Sequence, residues 1–250
     1  MTNEIRIAVV NQSGLDDRDV MDGVAALQKQ VSEDFGPVWQ VDARLVAVPR
    51  ENRRDSMPGH WGLILLDETR HLAAEDDPMD PVLGYHDLTT GGLPLSRVFV
   101  NRVPAGQDWT HWASHELLEM LVDPDVDTAV YGAADGQPPR FHAREVCDPC
   151  AAYANGYECA GRHVADFVFP SWFRHHLGVQ EEGFDERHLV SHRFEVLPHG
   201  YVSVFDPGDS VWRVLDETGQ LHHEPAIDSR PDLRLRAHTG FSPTGMKWSP

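Results

Sequence analysis

Asp108-Trp-Thr-His-Trp-Ala-Ser-His-Glu-Leu-Leu-Glu-Met-Leu-Val-Asp-Pro124 reads as one helix with both ends marked. Asp108 can cap it and Trp109 to Val122 fill it. Asp123-Pro124 ends it, because a residue before proline is pushed out of helical backbone. His115 and Glu119 are four apart, so at about 3.6 residues per turn they stand one above the other on a single face. Glu116 sits beside them, about 100° around the helix, and His111 lies one turn further back. Trp112, Ala113, Leu117, Met120 and Leu121 supply an apolar surface opposite this polar stripe. A His and two Glu on a helix are usually a solvated face. The sharper alternative is a metal held by His115 and Glu119, with Glu116 able to address its water.

Upstream of this helix, Ile5 to Val10 is β-branched-rich, as a buried strand is. Val20, Met21, Val24, Leu27, Gln28, Val31 and Phe35 recur at helical spacing, and Gly36-Pro37 is expected to stop that helix. Val41 to Val48 and Trp61 to Leu66 read as strands, the latter fully apolar and central. Glu68 to Pro81 is acidic and turn-rich. Two short strands, Gly84 to Leu88 and Arg97 to Val100, flank Thr89 to Pro94. A strand–helix–strand start implies a right-handed crossover and a parallel pair, with the later short strands free to run antiparallel. The fold class is therefore mixed α and β (α+β): a twisted mixed sheet, a backing helix and the 109–122 helix, over residues 1–125. A more irregular subdomain follows over 126–228, with loop at Val126 to Arg140 and a strand at Val164 to Pro170. A late hairpin, Tyr201 to Phe205 with Val211 to Leu215, closes it. Residues 229–250 form a polar tail.

The formal net charge is −19, with 21 Lys and Arg against 40 Asp and Glu. That excludes a sequence-independent nucleic-acid binder and a polybasic membrane-surface protein, both of which need clustered Lys and Arg. No apolar run approaches the 18 or so residues of a membrane span, and the amino end lacks signal-peptide features, so a cytoplasmic protein is expected. Fifteen histidines suggest metal or proton chemistry. The three cysteines are too few for a disulfide framework. With His163, however, Cys147-x₂-Cys150-x₈-Cys159-x₃-His163 has the spacing of a structural Cys₃His zinc site, against the ordinary reading of Cys as a small buried hydrophobe.

His115-Glu-Leu-Leu-Glu119 resembles the active-site helix of the zincin metallopeptidases, whose motif is H-E-x-x-H, with Glu119 standing where the second His should be. S-H-E-L-L-E-M-L-V-D-P together with E-V-C-D-P-C is similar to a bacterial zincin-like family carrying the H-E-x-x-E variant. That likeness extends over roughly residues 5 to 205, through A-L-Q-K-Q, G-Y-H-D-L-T, D-F-V-F-P-S-W-F and H-G-Y-V-S-V-F. The resemblance implies a zincin-like fold with His115 and Glu119 as ligands and Glu116 as general base. It also implies a third ligand from a downstream acidic pair, Glu145 as ligand and Asp148 as the group orienting His115, with these roles exchangeable. His111 could add a second imidazole. Zn²⁺ is the expected ion, though so carboxylate-rich a site would accept another divalent metal.

The activity implied is cleavage of a peptide or amide bond, with the substrate lying along an edge strand near Arg97 to Val100. The rivals are a non-catalytic metal-stabilised binding protein and a metalloenzyme acting on a small molecule in a biosynthetic pathway. Other residues carry less. His86-Asp87 reads as a surface pair, with lining the cleft or orienting a ligand as the alternative. Tyr153, Tyr157 and Tyr201 are candidate oxyanion donors. Asp166 could back a ligand or sit at a strand edge. His175-His176 and His222-His223 read as solvated loops.

Overall fold

Ile5–Gln12 (β1) is buried along most of its length because it is paired on both sides. The structure, a computed structural model, describes residues 4–52, 57–67, 83–89, 91–134, 136–174, 183–206, 208 and 211–223. Asp16 caps the next helix, α1 (Asp17–Lys29), by accepting from the Arg18 N–H. The chain does not stop at Gly36-Pro37 as expected. A wider π turn over Gln30–Phe35 leads into a last helical turn, α2 (Gly36–Trp39), which ends where Gln40 turns left-handed. Pro37 falls in the first turn of α2, where a missing N–H costs no helical bond.

Next come β2 (Ala43–Val48), β3 (Trp61–Leu66), β4 (Gly84–Leu88) and β5 (Pro94–Phe99). They make one sheet in the order β2-β1-β3-β5-β4, with β3 at its centre as its apolar run implies. The first three partners of this sheet run parallel, and β4 returns antiparallel on β5. This corrects the expected edge. Arg97 lies in β5, which is hydrogen-bonded on both sides, and Val100 has already entered a short 3₁₀ turn. The edge strand is β4, because the chain reaches the outer position first and folds back inward.

Helix α3 (Trp109–Val122) lies across β4 and β5. The Asp108 carboxylate accepts from the Thr110 N–H at its start, and the Asp123 N–H bonds the Glu119 carbonyl at its end. Every α3 residue from Trp109 to Leu121 except Trp112 is buried. The polar stripe is therefore no solvated face.

What covers it is the second half of the chain, with β6 (Ala129–Gly132), β7 (Arg140–Ala143), β8 (Tyr157–Cys159), β9 (Arg162–Val164), α4 (Pro170–Phe173), β10 (Tyr201–Asp206), β11 (Val211–Asp216) and β12 (Leu221–His223). Strands β12-β11-β10-β7-β6 form a second, antiparallel sheet, and β8-β9 a small hairpin. One apolar core runs from Ile7 and Val9 through Leu117 and Met120 to Val146, Phe167, Trp172 and Val202. Three expectations change here. Residues 129–132 form a strand within the expected loop. Past Val164 the expected strand is only a single bridge from Val168 to Asp185. His222 and His223 lie in β12, with His222 against Asp216. The stretch from 68 to 81, His175-His176 and the tail from 229 lie outside the described residues. Among the described residues no helix is long and apolar enough to cross a membrane.

Asp166 is a buried carboxyl with a clear titration role. Its Oδ1 accepts from the Phe167 and Arg187 N–H groups, and Asp185 is its neighbour. Burial, then the hydrogen bond and charge of Asp185, push its pKa up to about 9. The folded chain thus holds a proton there that the unfolded chain gives up near pH 4. That stabilisation is complete below pH 4 and falls as pH rises through 9, at a slope of at most about 1.4 kcal/mol per pH unit. Asp166→Asn keeps a neutral acceptor-and-donor group at every pH. Its stability relative to wild type should rise steadily between pH 5 and 9 in urea unfolding series, and a pH-independent difference would refute the proton held on Asp166.

Candidate metal centre

Three pieces of chain meet at the polar face of α3. The helix contributes His115, Glu116 and Glu119. Edge strand β4 contributes His86, which shares a strand face with Gly84 two residues earlier. The segment leading into the 3₁₀ turn Asp148–Cys150 contributes Glu145, Cys147 and Asp148. Backbone bonds hold that segment in place: the Val168 N–H donates to the Val146 carbonyl, and the Leu197 N–H to that of Pro149. The Cys147 N–H donates to Glu119 Oε1 at 3.3 Å. His86, Glu119, Glu145, Cys147 and Asp148 have no exposed surface, while His115 and Glu116 keep 4% and 5%. Solvent therefore touches the group only at its His115–Glu116 side.

The contacts are short and systematic. His115 Nε2 hydrogen-bonds Asp148 Oδ1 at 3.1 Å and stands 3.3 Å from Glu119 Oε1, while its Nδ1 is buried without a hydrogen bond. His86 Nδ1 lies 3.6 Å from Glu116 Oε2 and 3.7 Å from Glu119 Oε2, and its Nε2 is 3.4 Å from Glu145 Oε2. Among the described residues, two trios bring one ligand atom each to within 4.8 Å of one another: His115, Glu119 and Cys147, and His86, Glu116 and Glu119. Nitrogen and oxygen ligands about 2.0–2.2 Å from an ion stand about 3–3.5 Å apart, so the pairs at 3.1–3.7 Å are already near ligand spacing.

Comparison of the chain with protein-family models, curated proteins and solved structures finds no match. Within the group, four carboxylates face two imidazoles. Protonating both imidazoles would still leave two negative charges, which burial penalises unless a cation or protons join them. Burial opposes charge on His115, yet Glu119 and Asp148 outweigh it and hold its pKa well above the usual imidazole range. Burial, then the Glu119 charge, push the Cys147 thiol well above its usual pKa. A bound cation would reverse that and draw the thiol proton off.

The sequence candidates divide cleanly. His115, Glu116, Glu119, Glu145 and Asp148 come together, but Glu145 meets His86 rather than His115. His111 stays out of the trios. It packs against Trp112, Tyr153 and His163, its Nε2 is 3.4 Å from the Ala151 carbonyl, and burial, then His115, hold its pKa down at about 3. The Cys₃His cluster is not assembled. Cys159 on β8 turns to the Ala26 carbonyl of α1, His163 meets the Tyr153 carbonyl, and only Cys147 joins His115 and Glu119. All three thiols are free and buried. Tyr153 Oη accepts from the Asp108 N–H and Tyr157 Oη donates to Asp34. Tyr201 belongs to β10, and Asp166 pairs with Asp185.

His86 is the residue sequence reasoning undervalued, since it is wholly buried instead of on the surface. A signal existed: strand alternation puts Gly84 and His86 on one face, and the glycine leaves that face open. A Cβ at Gly84 would lie 2.8 Å from Glu116 Cγ and 2.9 Å from its Oε1. Gly84→Ala should therefore displace the Glu116 carboxylate at a cost of about 1–3 kcal/mol in stability. Thermal unfolding of the variant with unchanged stability and unchanged metal affinity would contradict that fit.

Proposed function

We propose that this chain is a metal-dependent hydrolase of peptide or other amide bonds, with zinc held by His115, Glu119 and Cys147. The carrying observation is that this buried trio stands beside Glu116, on the one side where solvent reaches the group. His115 Nε2 faces Glu119 Oε1 at 3.3 Å, and Asp148 Oδ1, 3.1 Å from the same nitrogen, holds the ring turned that way. Zinc bound here would supply a water of lowered pKa and an electrophile for the amide carbonyl. Glu116 would take the proton from that water and return it to the leaving amine. Strand β4 stands last in the sheet order and runs antiparallel to β5, a position at which an extended peptide could add as a further strand. The zincin resemblance is supported by this order: parallel strands, a backing helix, an antiparallel edge, then the helix carrying His-Glu-x-x-Glu.

A second reading, a metal-stabilised protein without turnover, is favoured by the complete burial of Glu119 and Cys147. One experiment separates the two. Chelated protein reloaded with one equivalent of zinc is incubated with a mixed-sequence peptide library and cleavage is followed by mass spectrometry. Zinc-dependent cleavage is expected; zinc bound with no cleavage across the library selects the second reading.

A further inference from the structure

Two members of the second trio, His86 and Glu116, are not needed to hold the hydrolytic zinc, and the third, Glu119, belongs to both groups. We infer that this trio is a second cation site, for a divalent ion of the Mn²⁺ type, whose filling takes Glu116 out of its role as base. The inference rests on the metal reading of the first trio.

The two oxygens of Glu119 divide between the groups. Oε1 faces His115 at 3.3 Å and Oε2 faces His86 at 3.7 Å, the disposition of a carboxylate that bridges two ions. His86 is arranged as a ligand. Glu145 stands at its Nε2, and the opposite nitrogen is turned toward Glu116 and Glu119. Strand β4 holds the ring with no exposed surface, and the missing side chain at Gly84 leaves the Glu116 carboxylate the room it occupies beside that ring.

Donor chemistry separates the two sites. The first contains the Cys147 thiolate and suits zinc. The second offers one imidazole nitrogen and two carboxylates, a harder set that suits Mn²⁺. Two ions sharing a carboxylate sit about 3.5–4 Å apart. Glu116 cannot serve as ligand and base together, because a carboxylate bound to a cation has lost the basicity a proton acceptor needs. Occupancy of the His86 site would then switch hydrolysis off as Mn²⁺ rises.

The test starts from protein carrying one equivalent of zinc, titrated with Mn²⁺ while free Mn²⁺ is read by electron paramagnetic resonance. Wild type should take up one further equivalent. His86→Gln should bind it at least about 100-fold more weakly, beyond the 10–100-fold typical of outer-shell changes. A readout free of any variant is the zinc-loaded wild type itself: after Mn²⁺ uptake and gel filtration, elemental analysis should find one zinc and one Mn²⁺ together. Displacement of the zinc by Mn²⁺, or equal Mn²⁺ uptake by wild type and His86→Gln, would overturn the second site. If one zinc binds and no Mn²⁺ follows, only this inference fails. If no metal binds at all, the hydrolase reading fails with it.

Discussion

Glu119→Gln should leave the protein unable to retain zinc, with affinity reduced more than about 100-fold and bound metal near zero after gel filtration. Glu119 is the one residue common to both trios, so its charge serves every ion the site could take. The amide preserves the volume and can still accept the Cys147 N–H, which now bonds Oε1. Packing is thus nearly unchanged, and the difference reports the lost anionic ligand. Stability supplies an independent readout. Zinc at 1,000 times its dissociation constant should stabilise wild type by about 4 kcal/mol through mass action, and should leave the variant unmoved. In metal-free protein the sign reverses in part. A neutral amide replaces a buried carboxylate, so the variant should lose little of the stability that wild type has without metal. Elemental analysis that finds equal zinc in both proteins would remove Glu119 from the ligand set.

How far the site could be read without coordinates follows from how local each part is. Helix α3 was legible to the residue, because an Asp cap, an unbroken helical run and Asp-Pro all act within one turn of the ends they define. His115 and Glu119 came with it, since i and i+4 share a face in any helix. The strand inventory of the first sheet was legible too, but its edge was not. Nothing local in Arg97 to Val100 says that β4, earlier in the chain, lies outside β5. Gly36-Pro37 misled for a related reason: a π turn just ahead of it changed which N–H groups needed partners. The cysteine spacing matched a zinc cluster along the chain, yet the β8-β9 hairpin carries Cys159 toward α1 and away from Cys147. His86 was hardest, for a lone histidine in a five-residue strand has no periodic partner to announce it. Its role depends on a helix about 30 residues later, and on a glycine whose meaning is steric.

Glu116→Gln is the sharper test of chemistry. Glutamine is isosteric but cannot accept a proton, so a base acting on metal-bound water should be lost, costing about 10²–10⁴ in kcat. Glu116 lies outside the His115 trio, so the variant should keep its first equivalent of zinc and a near-normal KM. Glu116→Asp should fall between the two proteins, because the carboxylate survives but is withdrawn from the solvent-touched side of the site. The comparison also bears on the second cation. Glu116→Gln should no longer take up the additional Mn²⁺, since an amide oxygen is a poor substitute for a carboxylate at a hard site. A drop in kcat with zinc retained would therefore assign the base, whereas loss of zinc along with activity would make Glu116 a ligand of the primary site. Full hydrolysis in Glu116→Gln would show that the proton leaves by another group, and His86 Nδ1, 3.6 Å from Glu116 Oε2, is a side chain able to take it.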